Sequence, residues 1–194
     1  MANSDSSVPP RIAPLAADEL TDDALALATK LRANFGLTTS ELPDSVATML
    51  RHPDLYRAQI DYVVQRTKAS VVAPRDLELV ILRTAWLCRS AYTWGEHVTF
   101  GKKAGLTSEE IEWLTQGSAA RGWNARDRAL NRLAEELHET AFVSDESWAV
   151  IAAHFTEQQI IELLVMIGSY HEVAYLYNAM RVRLLPGSQG LQTR

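Results

Sequence analysis

The sequence predicts an all-α protein built as a single-domain helical bundle, and three observations carry that expectation. Apolar residues recur at helical spacing through most of the chain, as in Leu20, Ala24, Leu27 and Leu31, or Ala129, Leu133 and Leu137. Helix-start signals stand ahead of many of these runs, the clearest being Thr107-Ser108-Glu109-Glu110, where Thr107 and Glu110 form a capping box. No two apolar runs alternate at period two or flank an Asn-Gly type turn, so a sheet is not expected. With 194 residues, 47% of them apolar, the chain can bury one core of ordinary size.

The elements follow in order. Residues 1–15, Ser-rich and then carrying Pro9, Pro10 and Pro14, read as a flexible N-terminal arm. The first helix ends at Asn34-Phe35-Gly36 with Gly36 as its C-cap. Pro43 opens a second helix with Val46, Met49 and Leu50, His52-Pro53-Asp54 punctuates, and a third runs from about Leu55 through Val64. Pro74 precedes the strongly apolar stretch Leu77 to Cys88, and Ser90 starts a helix that ends near Gly105. Asn124 to Ala141 is amphipathic, Ser144 or Asp145 caps a short helix, and Thr156 caps the longest, which reaches about Leu184. The helical domain spans 16–185, and 186–194 reads as a tail.

Composition narrows the function. Nineteen Lys+Arg against twenty-four Asp+Glu leave no basic excess, so nucleic acid is not an expected partner. A single cysteine excludes an internal disulfide and a Cys-x-x-Cys redox pair. No signal-peptide pattern opens the chain, and Glu78, Arg83 and Glu162 interrupt its most apolar windows, so the expectation is a cytoplasmic protein with no membrane span. The stretches 77–87 and 160–167 are apolar nearly all round, which points to burial on every face and to a homo-oligomer.

Chemistry concentrates between Glu78 and His97. A carboxylate in an apolar helix needs a partner or a raised pKa. Downstream, Ser90, Thr93 and His97 share one helical face, bordered by Trp94, and with Glu78 they would form a small polar pocket suited to proton transfer. Plainer readings stand beside this one: Ser90 as a bonded N-cap, Thr93 as a helix-facing hydroxyl, His97 as a packing residue, Glu78 paired with Arg83 or Arg89, and Cys88 as an inert buried thiol. His171, Tyr175 and Asn178 form a stripe on the last helix and offer a second wall, while Tyr170 and Tyr177 form another pair; packing alone would also explain both. Glu135, Glu136, His138 and Glu139 read as a solvated helix face, and no metal site is expected.

These motifs resemble the carboxymuconolactone decarboxylase family, which includes the AhpD-type alkylhydroperoxidases. Glu78-x-x-Ile81-Leu82-Arg83, then Cys88-x-Ser90-x-Tyr92-x-Trp94-x-x-His97 and Gly105-Leu106-Thr107, carry the likeness, which extends over roughly residues 40–182. The resemblance implies an all-helical fold, usually trimeric or hexameric. In the peroxidase branch a Glu is followed by a Cys-x-x-Cys pair and a His; here Ser90 and Thr93 stand at the cysteine positions, with Glu78 and His97 retained. Hydroxyls cannot form a sulfenic acid or a disulfide, so thiol peroxidase activity is not expected. The other branch implies a cofactor-independent decarboxylase or isomerase-like enzyme acting on a small carboxylated lactone or enol. His97 would transfer the proton and Glu78 would tune it. Ser90, Tyr92, Thr93 and Trp94 would line the pocket, with Arg83 or Arg89 on a substrate carboxylate. A non-catalytic oligomeric binding protein is the alternative from another class.

Overall fold

The structure, a computed structural model, describes residues 8–35 and 42–194; the first seven residues and the expected C-cap Gly36 lie outside them. Among the described residues there are nine α-helices and no strand: α1 (Asp22–Phe35), α2 (Asp44–Met49), α3 (Pro53–Lys68), α4 (Pro74–Leu87), α5 (Ala91–Lys103), α6 (Ser108–Gln116), α7 (Ala125–Thr140), α8 (Asp145–His154) and α9 (Glu157–Met180).

Local chemistry explains the boundaries. Pro53 and Pro74 open α3 and α4 at the position where a missing N–H costs nothing. Thr107, Asn124, Ser144 and Thr156 each accept a backbone N–H from three residues on. Thr107 and Glu110 close the expected reciprocal box, the Thr107 N–H donating to Glu110 at 2.8 Å. The last helix stops at Met180 rather than near Leu184, because Arg181 turns left-handed at φ 56° and its N–H caps the Asn178 and Tyr177 carbonyls.

The core forms around α4, which packs against α5, α6, α7 and α9. Its residues from Leu79 to Ala85 are all buried within one chain, so α4 needs no neighbouring subunit to cover it. A second apolar cluster joins α1, α2 and α3, with Leu176 and Met180 at the end of α9 packed on it. The two clusters meet where α9 passes α3.

α9 behaves differently from α4. Its inner face (Ile160, Leu163, Met166, Ile167, Ala174) is buried, whereas Ile161 is 62% and Tyr175 66% exposed. By length and composition this helix is apolar enough to cross a membrane, against the expectation that Glu162 would break such a window. Glu162 is engaged locally: its carboxylate accepts from the Ser70 hydroxyl and from the N–H groups of Val71, at 2.8 Å, and Val72, at 3.0 Å, holding the turn that feeds α4.

Residues 8–15 and 186–194 both lie against the helical body. Arg11 donates from its backbone to Met180 and Leu15 to Ala47, strapping residues 8–15 along α2 and the end of α9. The segment 186–194 lies back along α5 instead of leaving the domain: the Trp94 indole donates to the Thr193 carbonyl at 3.0 Å, and Arg194 pairs with Glu112. Gly95 permits this approach, since a Cβ there would strike the Ser188 hydroxyl.

Candidate active site

Glu78 on α4 and His97 on α5 face each other where these two helices pack. The Glu78 carboxylate and His97 Nδ1 are 2.8 Å apart, with both side chains largely shielded. A carboxylate only accepts, so Nδ1 carries the proton. On the opposite edge, the Tyr170 hydroxyl lies 3.1 Å from His97 Nε2, and the two rings meet edge to face at 4.9 Å. Burial, reinforced by the Glu78 charge, holds the Tyr170 phenol well above its usual pKa range, so it donates to Nε2. The result is a directed chain, Tyr170 O–H to His97 to Glu78, across α9, α5 and α4.

The chain ends on a pocket. Tyr170, Leu176 and Tyr177 from α9, with Tyr56, Ile60 and Arg66 from α3, line a cavity of about 170 Å³ at the junction of the two apolar clusters. That is below the roughly 300–1,000 Å³ of drug-sized sites and suits a small organic acid. Arg66 carries the positive charge: its guanidinium sits over the Tyr62 ring at 5.5 Å, and its Nη1 is buried without a hydrogen-bond partner. Arg66 as a whole is half-buried, and this one shielded N–H can donate to an oxygen of a bound anion. His97 does not line the cavity; Tyr170 stands between them.

The remaining expected residues are distributed as follows. Ser90 occupies the N-cap position of α5 but bonds no backbone N–H; its hydroxyl is 2.9 Å from that of Thr93, and both are buried. Tyr92 bonds Ser45 at 2.7 Å and meets Tyr177 edge-on at 4.9 Å, one layer behind the pocket wall. Trp94 packs on Trp86 and holds the C-terminal segment, away from the cavity. Arg83 is committed to Glu135, at 2.9 Å, and to the Leu114 carbonyl, at 2.7 Å, so it does not turn toward Glu78. Arg89 is exposed, with φ 52° at the break between α4 and α5. The stripe His171, Tyr175 and Asn178 faces elsewhere: Asn178 donates to the Cys88 carbonyl at 2.9 Å, His171 meets His138, and Tyr175 is exposed. Glu135 and Glu136 are not a solvated pair, because Glu135 binds Arg83 and Ser118 while Glu136 accepts from Ser144 and Ser147.

Two residues of this site were not singled out by their sequence context. Arg66 sits on an otherwise polar stretch of α3, and nothing local marks which face it takes. Glu96 precedes His97, and adjacent helical residues usually diverge; here burial raises its pKa, with the His97 charge opposing and Glu78 adding to the rise.

The chain is an all-helical domain of AhpD-like fold, with a carboxylate–imidazole–phenol chain beside a small pocket. Residues 53–136, a segment that holds both Glu78 and His97, match the model of the carboxymuconolactone decarboxylase family. Tyr170 lies outside the matched segment. Solved structures of the same fold include an uncharacterized peroxidase-related protein of Ralstonia eutropha JMP134, described as an alkylhydroperoxidase AhpD core. It is 15% identical, with TM-score 0.74, covering 93% of this chain and 95% of that one. A peroxidase-related protein of Silicibacter sp. TM1040 is 14% identical with TM-score 0.72, covering 96% and 98%. The debrominase Bmp8, as a cysteine-to-alanine variant with 2,3,4-tribromopyrrole, is 16% identical with TM-score 0.72, covering 94% and 95%. No curated protein matches the sequence.

Proposed function

We propose that this protein is a lyase or isomerase-like enzyme that decarboxylates a small carboxylated lactone or enol by proton transfer through Tyr170, His97 and Glu78. The observation that supports it is the hydrogen-bonded chain ending on a cavity lined also by Arg66, whose Nη1 has no hydrogen-bond partner. Arg66 binds a substrate carboxylate. As the bond to the departing carboxylate breaks, its electron pair enters the conjugated lactone and CO2 leaves. A proton taken up from water at His97 Nε2, with Glu78 stabilising the imidazolium so formed, passes to the Tyr170 oxygen as Tyr170 gives its own proton to the resulting carbanion, which returns His97 to its neutral, Nδ1-protonated form. The substrate is its own electron sink, so the step balances without a cofactor. Ser90 and Thr93 offer hydroxyls where a thiol peroxidase needs two sulfurs, which disfavours a hydroperoxidase reading.

The test is an ultraviolet assay with 4-carboxymuconolactone on wild type, His97→Ala and Arg66→Gln. Turnover should fall by about 10²–10⁴-fold in kcat for His97→Ala. Arg66→Gln should chiefly raise KM. Turnover untouched by His97→Ala removes the relay from the reaction. No turnover in wild type discards this substrate and leaves other small acids, or a non-catalytic binding role, to be assayed by ligand-induced thermal shift.

A further inference from the structure

At the C-terminal end of α4, three side chains converge from three places in the fold. Cys88 caps the C-terminal end of α4, His138 lies in the last turn of α7, and His171 is on α9. Cys88 Sγ is 3.7 Å from His138 Nδ1, which is 3.0 Å from His171 Nε2, and all three atoms lie within 4.8 Å of one another. We propose that Cys88, His138 and His171 form a binding site for a zinc-type divalent cation, its fourth position open to water or an outside ligand.

The geometry matches that ion. Bonds of about 2.3 Å to sulfur and 2.0–2.1 Å to nitrogen at a tetrahedral angle place N and N about 3.3 Å apart and N and S about 3.6 Å apart. The observed separations need only small rotations to reach these values. Mixed thiolate and imidazole donors suit zinc over magnesium or calcium. The outer contacts are in place as well. His171 Nδ1 donates to the Ile167 carbonyl at 2.9 Å, which leaves the Nε2 lone pair facing the cluster. Asn178 donates to the Cys88 carbonyl from the same helix. His138 is exposed, so an ion can enter.

Neighbouring charges are compatible. Arg83 lies near His138 but is ion-paired with Glu135, and Glu139 adds negative charge. Burial lowers the His138 pKa, with His171 and Arg83 adding to the fall and Glu139 opposing it. Loading is an exchange: the Cys88 thiol proton leaves to water, the His138 Nδ1 proton moves to Nε2, and three lone pairs bind the cation.

The experiment titrates Co2+ into the purified full chain, follows the absorption spectrum, and then competes with Zn2+. A one-to-one complex with tetrahedral visible bands and a near-ultraviolet thiolate-to-cobalt band is expected, bleached by Zn2+. A hundredfold excess of Zn2+ over its Kd should raise the thermal midpoint by about 5–10 °C. Cys88→Ser should remove the thiolate band, and His138→Ala, a surface change, should weaken binding by at least about tenfold. His154→Ala, at an exposed position on α8, should leave both signals unchanged. Absence of the thiolate band, or a Co2+ affinity unchanged in His138→Ala, overturns the site, as does a response abolished by His154→Ala.

Discussion

Glu96 shows how much a single carboxyl can depend on its surroundings. It sits beside His97 and Glu78 and close to the Tyr56, Tyr92 and Tyr177 phenols, whose pKa values are all raised first by burial and then by charges that include Glu96. Its own pKa is raised, so the folded chain holds this proton more tightly than the unfolded one does. The associated penalty is absent below the unfolded carboxylate range, about pH 4, and grows as pH rises through the folded value. Glu96→Gln should therefore be more stable than wild type at about pH 8, and the gap should close near pH 4. Thermal unfolding at the two pH values decides this; an equal gap at both would show that titration is not its source. At this scale, Glu78 and His97 were legible because a carboxylate in an apolar helix demands a partner. Tyr170 and Arg66 were legible as residue types only. Which face of α9 meets α5, and which face of α3 meets α9, depends on helix crossings that spacing along one helix does not specify.

Among the elements, α4 and α9 look alike in sequence and differ in the fold. Both carry a carboxylate in an apolar run, yet Glu78 faces an imidazole while Glu162 accepts from the turn between α3 and α4. Glu162→Ala would leave two backbone N–H groups and a hydroxyl without their acceptor, at a cost of about 2 kcal/mol discounted for partial exposure. Chemical denaturation measures it, and the loss should leave catalysis unchanged if α4 keeps its place. Helix starts were readable from Thr107, Asn124, Ser144 and Thr156 because capping is local chemistry. The early stop of α9 was not, because Arg181 takes a left-handed conformation that a non-glycine residue does not advertise. Ser90 misled in a related way: it holds the cap position, and the Thr93 hydroxyl draws its side chain away from the backbone.

For the whole molecule, the question is what covers the outer face of α9. Ile161, Val165 and Tyr175 are exposed there, with Val71 alongside Ile161 and Val165 in a shared groove. Burying each such side chain is worth about 1.5–3 kcal/mol, enough in combination to drive self-association. We expect a homo-oligomer in solution, with Ile161→Lys shifting the mass measured by light scattering toward the monomer. A monomeric wild type would contradict this, and partition into lipid vesicles would assign the face to a bilayer instead. The all-α class was readable from periodicity throughout. The oligomer was inferred from two apolar helices, of which only α9 retains an uncovered face, since α4 is enclosed by its own chain.

The Ser90–Thr93 contact has a consequence for engineering. Two side-chain oxygens held 2.9 Å apart at the start of a helix, both sealed from water, define a scaffold already shaped for a reversible covalent bond. Replacing both with cysteine should yield a chain that closes a disulfide under mild oxidant and reopens with dithiol, as counted by free-thiol titration. If the double variant also consumes peroxide with a dithiol as reductant, two side chains would separate redox from proton-transfer chemistry on one frame. If the sulfurs oxidise only singly, the separation lies deeper in the fold.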